Sequence, residues 1–352
     1  MIIYNGKNSF TDFDLYVASK EVPPAQLKEI TESVPFMNGV WDFSFCNDEQ
    51  GEYEPVTLKY TFDVIEDTKK DLNALKKSIN KWLHSRGEQK LYDTDISTTE
   101  YYKVYNVKAG WSEEGLQGLV TVEFKCYPFM LLEKSTGAIE LTTDPQTLTI
   151  ENEGGRVVGA TVEIASKNLV NTSIIPIGEE SEQYNYISNV SAGSITISSK
   201  SGYQGNGFRN TTITLQELCP QIREGETYTL SANSPATNKA IYLTGCSTMW
   251  IFGAALKITK DMLSCSVSFY GLHSTHNGYG DCVITNIQIE KGTTATEYTP
   301  YIDANATIID GVNSYALSAG KHTNVLRLRT GENTFNVSGA GLITVAYTEE
   351  SY

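Results

Sequence analysis

Through most of this chain apolar residues return at every second position in short runs, and only once do they return at intervals of three and four. That difference in period is the strongest constraint on the fold. Side chains two apart share a face of a strand, whereas side chains three or four apart share a face of a helix. Residues 40–45 (VWDFSF), 56–64 (VTLKYTFDV) and 119–126 (LVTVEFKC) carry the strand period and are expected as half-buried strands. Leu72, Leu75, Ile79, Trp82 and Leu83 carry the helical one, predicting a helix over 67–85. Lys69, Lys70, Lys76, Lys77 and Lys81 fall largely on its other face, and Arg86-Gly87 supplies the stop. The fold class expected over 1–138 is therefore an N-terminal β-sandwich with one α-helix.

Residues 166–302 differ in composition. They are rich in Ser, Thr, Asn and Gly, and their 8 basic and 10 acidic residues leave them nearly neutral. Strand candidates are short and punctuated by turn residues, at 194–198, 211–215, 228–231, 240–243, 265–270 and 282–290. That spacing predicts an all-β sandwich in which no helix is required, and the closing run ITNIQIEKGTTATEYTPY resembles those of jelly-roll modules, which implies a jelly-roll-like form. The flanks, 139–165 and 303–352, hold strand-like runs joined by Gly and Asn, but neither has enough strands to close a core alone. Together they complete one C-terminal sandwich interrupted by an inserted domain. Chains tolerate insertions where the two ends lie close together.

The net charge is −15, from 42 acidic and 27 basic residues. Such a chain repels polyanions, which disfavours gripping DNA or RNA through Lys and Arg. No run approaches the ~20 apolar residues that cross a bilayer, so no membrane partner is expected. The opening MIIYNGKNSF lacks a basic region followed by an apolar one, so it does not read as a secretory signal, and folding is expected in the cytoplasm. Cys46, Cys126, Cys219, Cys246, Cys265 and Cys282 show no C-x-x-C spacing. Free, mostly buried thiols are the expectation, with a local disulfide among the four between 219 and 282 as the alternative after release from the cell.

Several segments in a fixed order resemble the distal tail proteins (Dit) of Gram-positive-infecting siphophages. These are MIIYNGKNSFTDFDLYV, PFMNGVWDFSF, DLNALKKSINKWLHSRGEQKLYD and YYKVYNVKAGWSEEGLQGLVTVEFKCYPF, then TIENEGG and the late GENTFNVSG. The resemblance covers about 1–165 and 303–352. It implies a ring-forming domain at 1–138 and a split, galectin-like C-terminal domain at 139–165 plus 303–352. It further implies a homohexamer in the virion tail tip or baseplate that joins the tail tube protein to the tail-associated fibre or lysin protein. DNA would pass through the ring without specific binding, which suits an acidic wall. The minimal family pattern lacks 166–302. That segment resembles the carbohydrate-binding modules of enlarged distal tail proteins, through NLVNTS near its start and ITNIQIEKGTTATEYTPY at its end. The implied partner is host cell-wall polysaccharide.

Sugar recognition requires aromatic faces flanked by hydrogen-bonding side chains. The candidates are Tyr203, Asn206, Phe208 and Arg209 in GYQGNGFRN, Trp250 in STMWIFG, and Asn277 and Tyr279 in HNGYGD. For each aromatic the competing role is core packing. His273 and His276, with Asp281 nearby, have a spacing that could touch a metal, but no third ligand is suitably placed, so no metal is assigned. Modules of this type often hold structural calcium; no D-x-[DN]-x-[DN]-G loop is present, and no cofactor is assigned. Glu224 and Glu226 flank Gly225 in a turn, where solvated carboxylates are more usual than a hydrolytic pair. No G-x-S-x-G, P-loop or H-E-x-x-H pattern occurs, so catalysis is not expected. The competing readings are a cell-wall glycosidase with a targeting module and a monomeric carbohydrate-binding adhesin.

Overall fold

The alternating runs pair as antiparallel strands. The computed structural model describes residues 1–36, 38–45, 50–84, 87–178, 185–199, 208–236, 239–270 and 281–352. It is mainly β. In the N-terminal part, Val56–Ile65 lies against Gln117–Ser135 in continuous register from Val56 opposite Cys126 to Ile65 opposite Gln117. On the other side Gln117–Ser135 pairs with Tyr101–Glu114. Every second side chain of Val56–Ile65 points into one core, where Leu58, Tyr60, Phe62 and Val64 meet Val120, Val122 and Phe124. The helix Lys69–Leu83 starts at Thr68, whose hydroxyl accepts the Asp71 amide, and seals that core with Leu72, Ile79, Trp82 and Leu83. Trp82 donates its indole N–H to the Tyr4 carbonyl at 2.7 Å, so its one polar atom is satisfied inside the core.

The strands that flank the insert pair with each other. Gln146–Asn152 lies along Gly331–Val337, and Val158–Ala165 lies between Leu342–Tyr347 and Gly320–Leu328. Asn305–Asp310 runs beside Asn336–Ala340 and turns back as Asn313–Ser318. Their apolar faces share a core of Leu148, Ile150, Val162, Ile164, Ile308, Leu326, Phe335 and Val345. The 21-residue strand Gly331–Ser351 serves both layers, changing partners at Gly339-Ala340-Gly341. Both glycines have positive φ, 148° and 105°. A Cβ on Gly339 would lie 2.2 Å from the Asn305 carbonyl oxygen, and one on Gly341 2.6 Å from that of Ala165. Only glycine allows backbones so close at that corner.

The insert has two sheets, one formed by Asn185–Ser191, Ser194–Ser199, Cys282–Lys291, Thr227–Asn233 and Ala255–Lys257. The other comprises Phe208–Thr214, Ser266–Tyr270, Ala240–Thr244 and Thr248–Ile251. They enclose Ile187, Ile197, Leu230, Leu243, Trp250, Phe269 and Ile289. Two sequence expectations are corrected. The insert does contain helical turns, at Thr172–Ile174, Leu215–Leu218 and Lys260–Leu263. The second begins with a reciprocal capping box between Thr214 and Glu217, a T-x-x-E signal in TLQE. Residues 40–45 do not form a half-buried strand: only Trp41–Asp42 is extended in a ladder, and its apolar side chains lie in solvent.

At the neck of the insert, Asn168 is fully buried and donates its amide to the Ile287 and Thr299 carbonyls at 3.1 and 3.0 Å. Gln288 accepts the Thr299 amide, and Glu290 accepts the amide and hydroxyl of Thr296. NLVNTS and ITNIQIEKGTTATEYTPY are thus the two halves of one latch.

Replacing Gly339 by Ala is expected to destabilise the chain by about 3 kcal/mol or more, because a fixed backbone oxygen blocks the new methyl and φ is unfavourable. Chemical denaturation should show the transition midpoint fall, and an unchanged midpoint would contradict the corner described above.

Candidate functional site

Between Val22 and Pro55 the chain leaves the core as an antiparallel arm. Lys28 donates its amide to the Glu52 carbonyl and Glu54 to that of Gln26, at 2.8 and 2.9 Å. Leu27 bridges Tyr53, and farther out Thr31 pairs with Asp42. Ser44 is buried between the legs, its hydroxyl accepting the Ile30 amide at 3.0 Å. The Ser44 amide and hydroxyl both serve the Asp42 carboxylate, holding its pKa below the ordinary value. The outer part of the arm is apolar yet uncovered: Val34, Phe36, Val40, Trp41, Phe43 and Phe45 are all exposed, Trp41 by 53%. The Trp41 and Phe43 rings lie side by side, centroids 6.4 Å apart. Contiguous exposed aromatics on a protruding hairpin mark an interaction surface.

The root of the arm is held by Arg156, the residue that follows ENEGG. Its Nε donates to Glu350 Oε2 at 3.0 Å, while Nη1 and Nη2 donate to the Gln50 and Gly51 carbonyls at 3.3 and 3.2 Å. The guanidinium also lies over the rings of Phe129 and Tyr53, 4.6 and 5.1 Å from their centroids. Gln50 accepts the Val157 amide at 2.8 Å, and Tyr127 donates its hydroxyl to Glu350 Oε1 at 2.7 Å. Burial, with the Glu350 hydrogen bond second, pushes the Tyr127 hydroxyl well above its ordinary pKa. One planar cation therefore binds the arm, the N-terminal sheet and the last strand together. Sequence reasoning passed over Arg156, Gln50 and Glu350. ENEGGR did contain a signal, because Cβ atoms on Gly154 and Gly155 would strike the Glu350 backbone and the Tyr352 ring.

The expected saccharide residues fall mainly outside the described structure. Tyr203, Asn206, Asn277 and Tyr279 lie there, as do His273, His276 and Cys46. Phe208 and Arg209 begin a strand, opposite Tyr270 and Phe269, and only their backbones are described. The backbone nevertheless places four chain ends together. Residue 199 precedes one undescribed segment and residue 208 follows it, while 270 and 281 bound the other. Phe208 is opposite Tyr270, and Ile197 is opposite Cys282, so both segments leave the same end of the two sheets. Trp250 requires a correction. It is 1% exposed in the core of the insert, and its indole N–H donates to the Ala254 carbonyl at 2.9 Å, so it presents no face to a sugar.

Glu224 is exposed, and Glu226 accepts hydrogen bonds from Tyr228 and Lys291, both at 2.7 Å. Burial raises the Glu226 pKa, but these two bonds outweigh it and keep the carboxyl below its usual value. A general acid for glycoside cleavage needs the opposite shift. Among the described residues no group of His, Cys, Asp and Glu is arranged to hold a metal ion. No described helix is long and apolar enough to cross a membrane.

Residues 6–126 match the family described as phage tail protein RIFT-related domain. The matched region includes the helix and the whole arm. No curated protein matches the chain. Among solved structures, the chain is similar to SPP1 Dit (gp 19.1), described as a paradigm of hub adsorption apparatus in Gram-positive infecting phages. That likeness has 13% identity and a TM-score of 0.43, over 100% of this chain and 98% of the other. A chain in the phage P2 baseplate, in its activated conformation with Ca, shows 10% identity and a TM-score of 0.32, over 97% and 92% of the two chains. The same baseplate with Sr gives 9% and 0.31, with the same coverage. No residue role is carried across at such scores.

Replacing Arg156 by Ala should cost about 3 kcal/mol, since Glu350 would keep its half-buried charge without a counter-ion, only the Tyr127 hydroxyl remaining on it. Arg156→Lys should recover only part of that, because an ammonium group cannot reproduce the planar fork. Denaturation midpoints and protease cleavage within 22–55 measure both effects; equal behaviour of Ala, Lys and Arg would refute the clamp.

Proposed function

We propose that this chain is a non-enzymatic structural subunit of a phage tail tip or baseplate, a hub that assembles as a homohexameric ring. The observation that carries the reading is the exposed aromatic arm within a region that matches a phage tail domain. An arm with Trp41, Phe43 and Phe45 in solvent gains stability when a second copy covers it, at roughly 25 cal/mol per Å² of apolar area buried. Residues 1–138 form the ring. The split C-terminal sandwich, 139–165 with 303–352, is its galectin-like outer layer. The ring joins the tail tube protein to the tail-associated fibre or lysin protein, and DNA passes through it without specific binding. Six copies of a chain of charge −15 make a wall that repels phosphate.

The insert, 166–302, serves as a carbohydrate-binding module for host cell-wall polysaccharide. Its recognition residues are Tyr203, Asn206, Phe208, Arg209, Asn277 and Tyr279, on segments that leave one end of the two sheets. Weak single sites suffice when six act together, provided the polymer spans them.

Light scattering should give a particle about six times the 38.9 kDa chain. Trp41→Ser with Phe43→Ser should shift it towards monomer with little change in thermal stability, because both side chains are already exposed. A wild-type monomer at micromolar concentration would overturn the ring.

Full-length protein should sediment with purified host wall polysaccharide. Tyr203→Ala with Tyr279→Ala should weaken that binding about tenfold or more, the scale on which aromatic anchors act, while leaving the particle size unchanged. Retention of full binding by the double variant would remove these residues from the site.

A further inference from the structure

Two cysteines of the insert meet at one end of its smaller sheet. Cys246 sits on the turn between Ala240–Thr244 and Thr248–Ile251, where Gly245 and Ser247 have φ of 108° and 52°. Cys265 lies between the short helix Lys260–Leu263 and the strand Ser266–Tyr270. Thr244 is opposite Ser266 in the antiparallel ladder, so the next residues along bring Cys265 beside Gly245 and Cys246. A Cβ on Gly245 would lie 3.5 Å from Cys265 Sγ. The Cys246 thiol donates to the Leu243 carbonyl at 3.5 Å and the Cys265 thiol to the Asp261 carbonyl at 3.2 Å, and the two thiols are close enough to influence each other's titration. Cys246 is partly exposed, whereas Cys265 is buried. The pair is reduced in this structure.

We propose that Cys246 and Cys265 are a redox-responsive pair that closes to an intramolecular disulfide once the protein leaves a reducing compartment. The ladder ends with Cys265 Sγ against the turn that carries Cys246, so a shift of that turn brings the sulfurs to an S–S bond of about 2.05 Å. The exposed turn carrying Cys246 can supply that movement. The remaining described cysteines suit no such role. Burial raises all three, Cys126 to about 12, and each lies in apolar surroundings. The pairing is independent of ring formation and saccharide binding; the tail-tip reading supplies only the exposure to an oxidising medium.

The oxidant is a small disulfide of the glutathione class. The Cys246 thiolate attacks one of its sulfurs, the reagent's S–S bond breaks, and one small thiolate departs and takes up the proton lost by Cys246. The Cys265 thiolate then attacks Cys246 Sγ, breaks the mixed disulfide, and releases the second small thiol, which takes the Cys265 proton. Two protein thiols are oxidised and one small disulfide is reduced to two thiols. Burial, reinforced by the neighbouring Cys246 thiol, pushes the Cys265 thiol up to about 11. Below that value its thiolate fraction grows about tenfold per pH unit, so closure should quicken by about that factor between pH 7 and pH 8.

The test uses full-length protein, purified reduced, exposed to oxidised glutathione at several pH values, then alkylated and mapped by mass spectrometry. The expected product is a cross-linked peptide joining Cys246 to Cys265, in a chain lighter by two hydrogens, formed faster at higher pH. Cys265→Ser should stop at a glutathione adduct on Cys246. Wild-type protein that keeps both thiols alkylatable, retains the adduct on Cys246, or links Cys246 to any other sulfur would overturn the proposal. The wild-type measurement decides the matter whether or not the variant folds.

Discussion

Strand Gln117–Ser135 is longer than one sandwich needs, and its surplus organises the molecule. Up to Cys126 it serves the N-terminal core; from Met130 to Ser135 it pairs with Ala346–Ser351, the end of another strand of unusual length. Backbone hydrogen bonds across that seam make the two sandwiches one continuous sheet. Side chains reinforce it. Glu349 is buried, yet it is paired with Lys134 at 3.1 Å and accepts the Glu153 amide at 2.8 Å. Arg156 and Glu350 form a second ion pair a residue away. Buried charges are tolerated because each has a partner and further hydrogen bonds.

Period and length made much of this visible beforehand. The helix and the long N-terminal strands follow from where Leu58, Tyr60, Phe62, Leu72 and Ile79 recur, and most strands of the insert from short runs bounded by turn residues. The pairing of 146–165 with 305–347 was legible through a counting argument, since neither stretch had strands enough for a core. The seam was not legible, because periodicity says that a strand is half buried without saying which strand lies beside it. Helical turns in the insert were missed for a related reason: a single turn such as Leu215–Leu218 has no period to detect, only its cap.

The functional surfaces separate along the same lines. VWDFSF has the alternation of a half-buried strand, yet the structure buries only Ser44 and leaves Val40, Trp41, Phe43 and Phe45 exposed. Alternation reports what a segment is able to bury, and among the described residues the apolar side chains of this arm stay largely uncovered. Trp250 is the reverse case. Beside Ile251 and Phe252 its sequence left presentation and burial both open; the Ala254 carbonyl gives its indole N–H an internal partner, and the ring fills the core. Arg156 escaped notice because its importance lies in contacts with residues more than a hundred positions away.

The strand Gly331–Ser351 also determines how mechanical load travels. Both strands that carry the insert, Val158–Ala165 leading in and Asn305–Asp310 leading out, are hydrogen-bonded to it. Tension applied to the insert therefore reaches that strand from both connections, shared with Gly320–Leu328 on one side and Asn313–Ser318 on the other. The far end of that strand is paired with Met130–Ser135, so pull that reaches it is delivered as shear across a ladder into the N-terminal body.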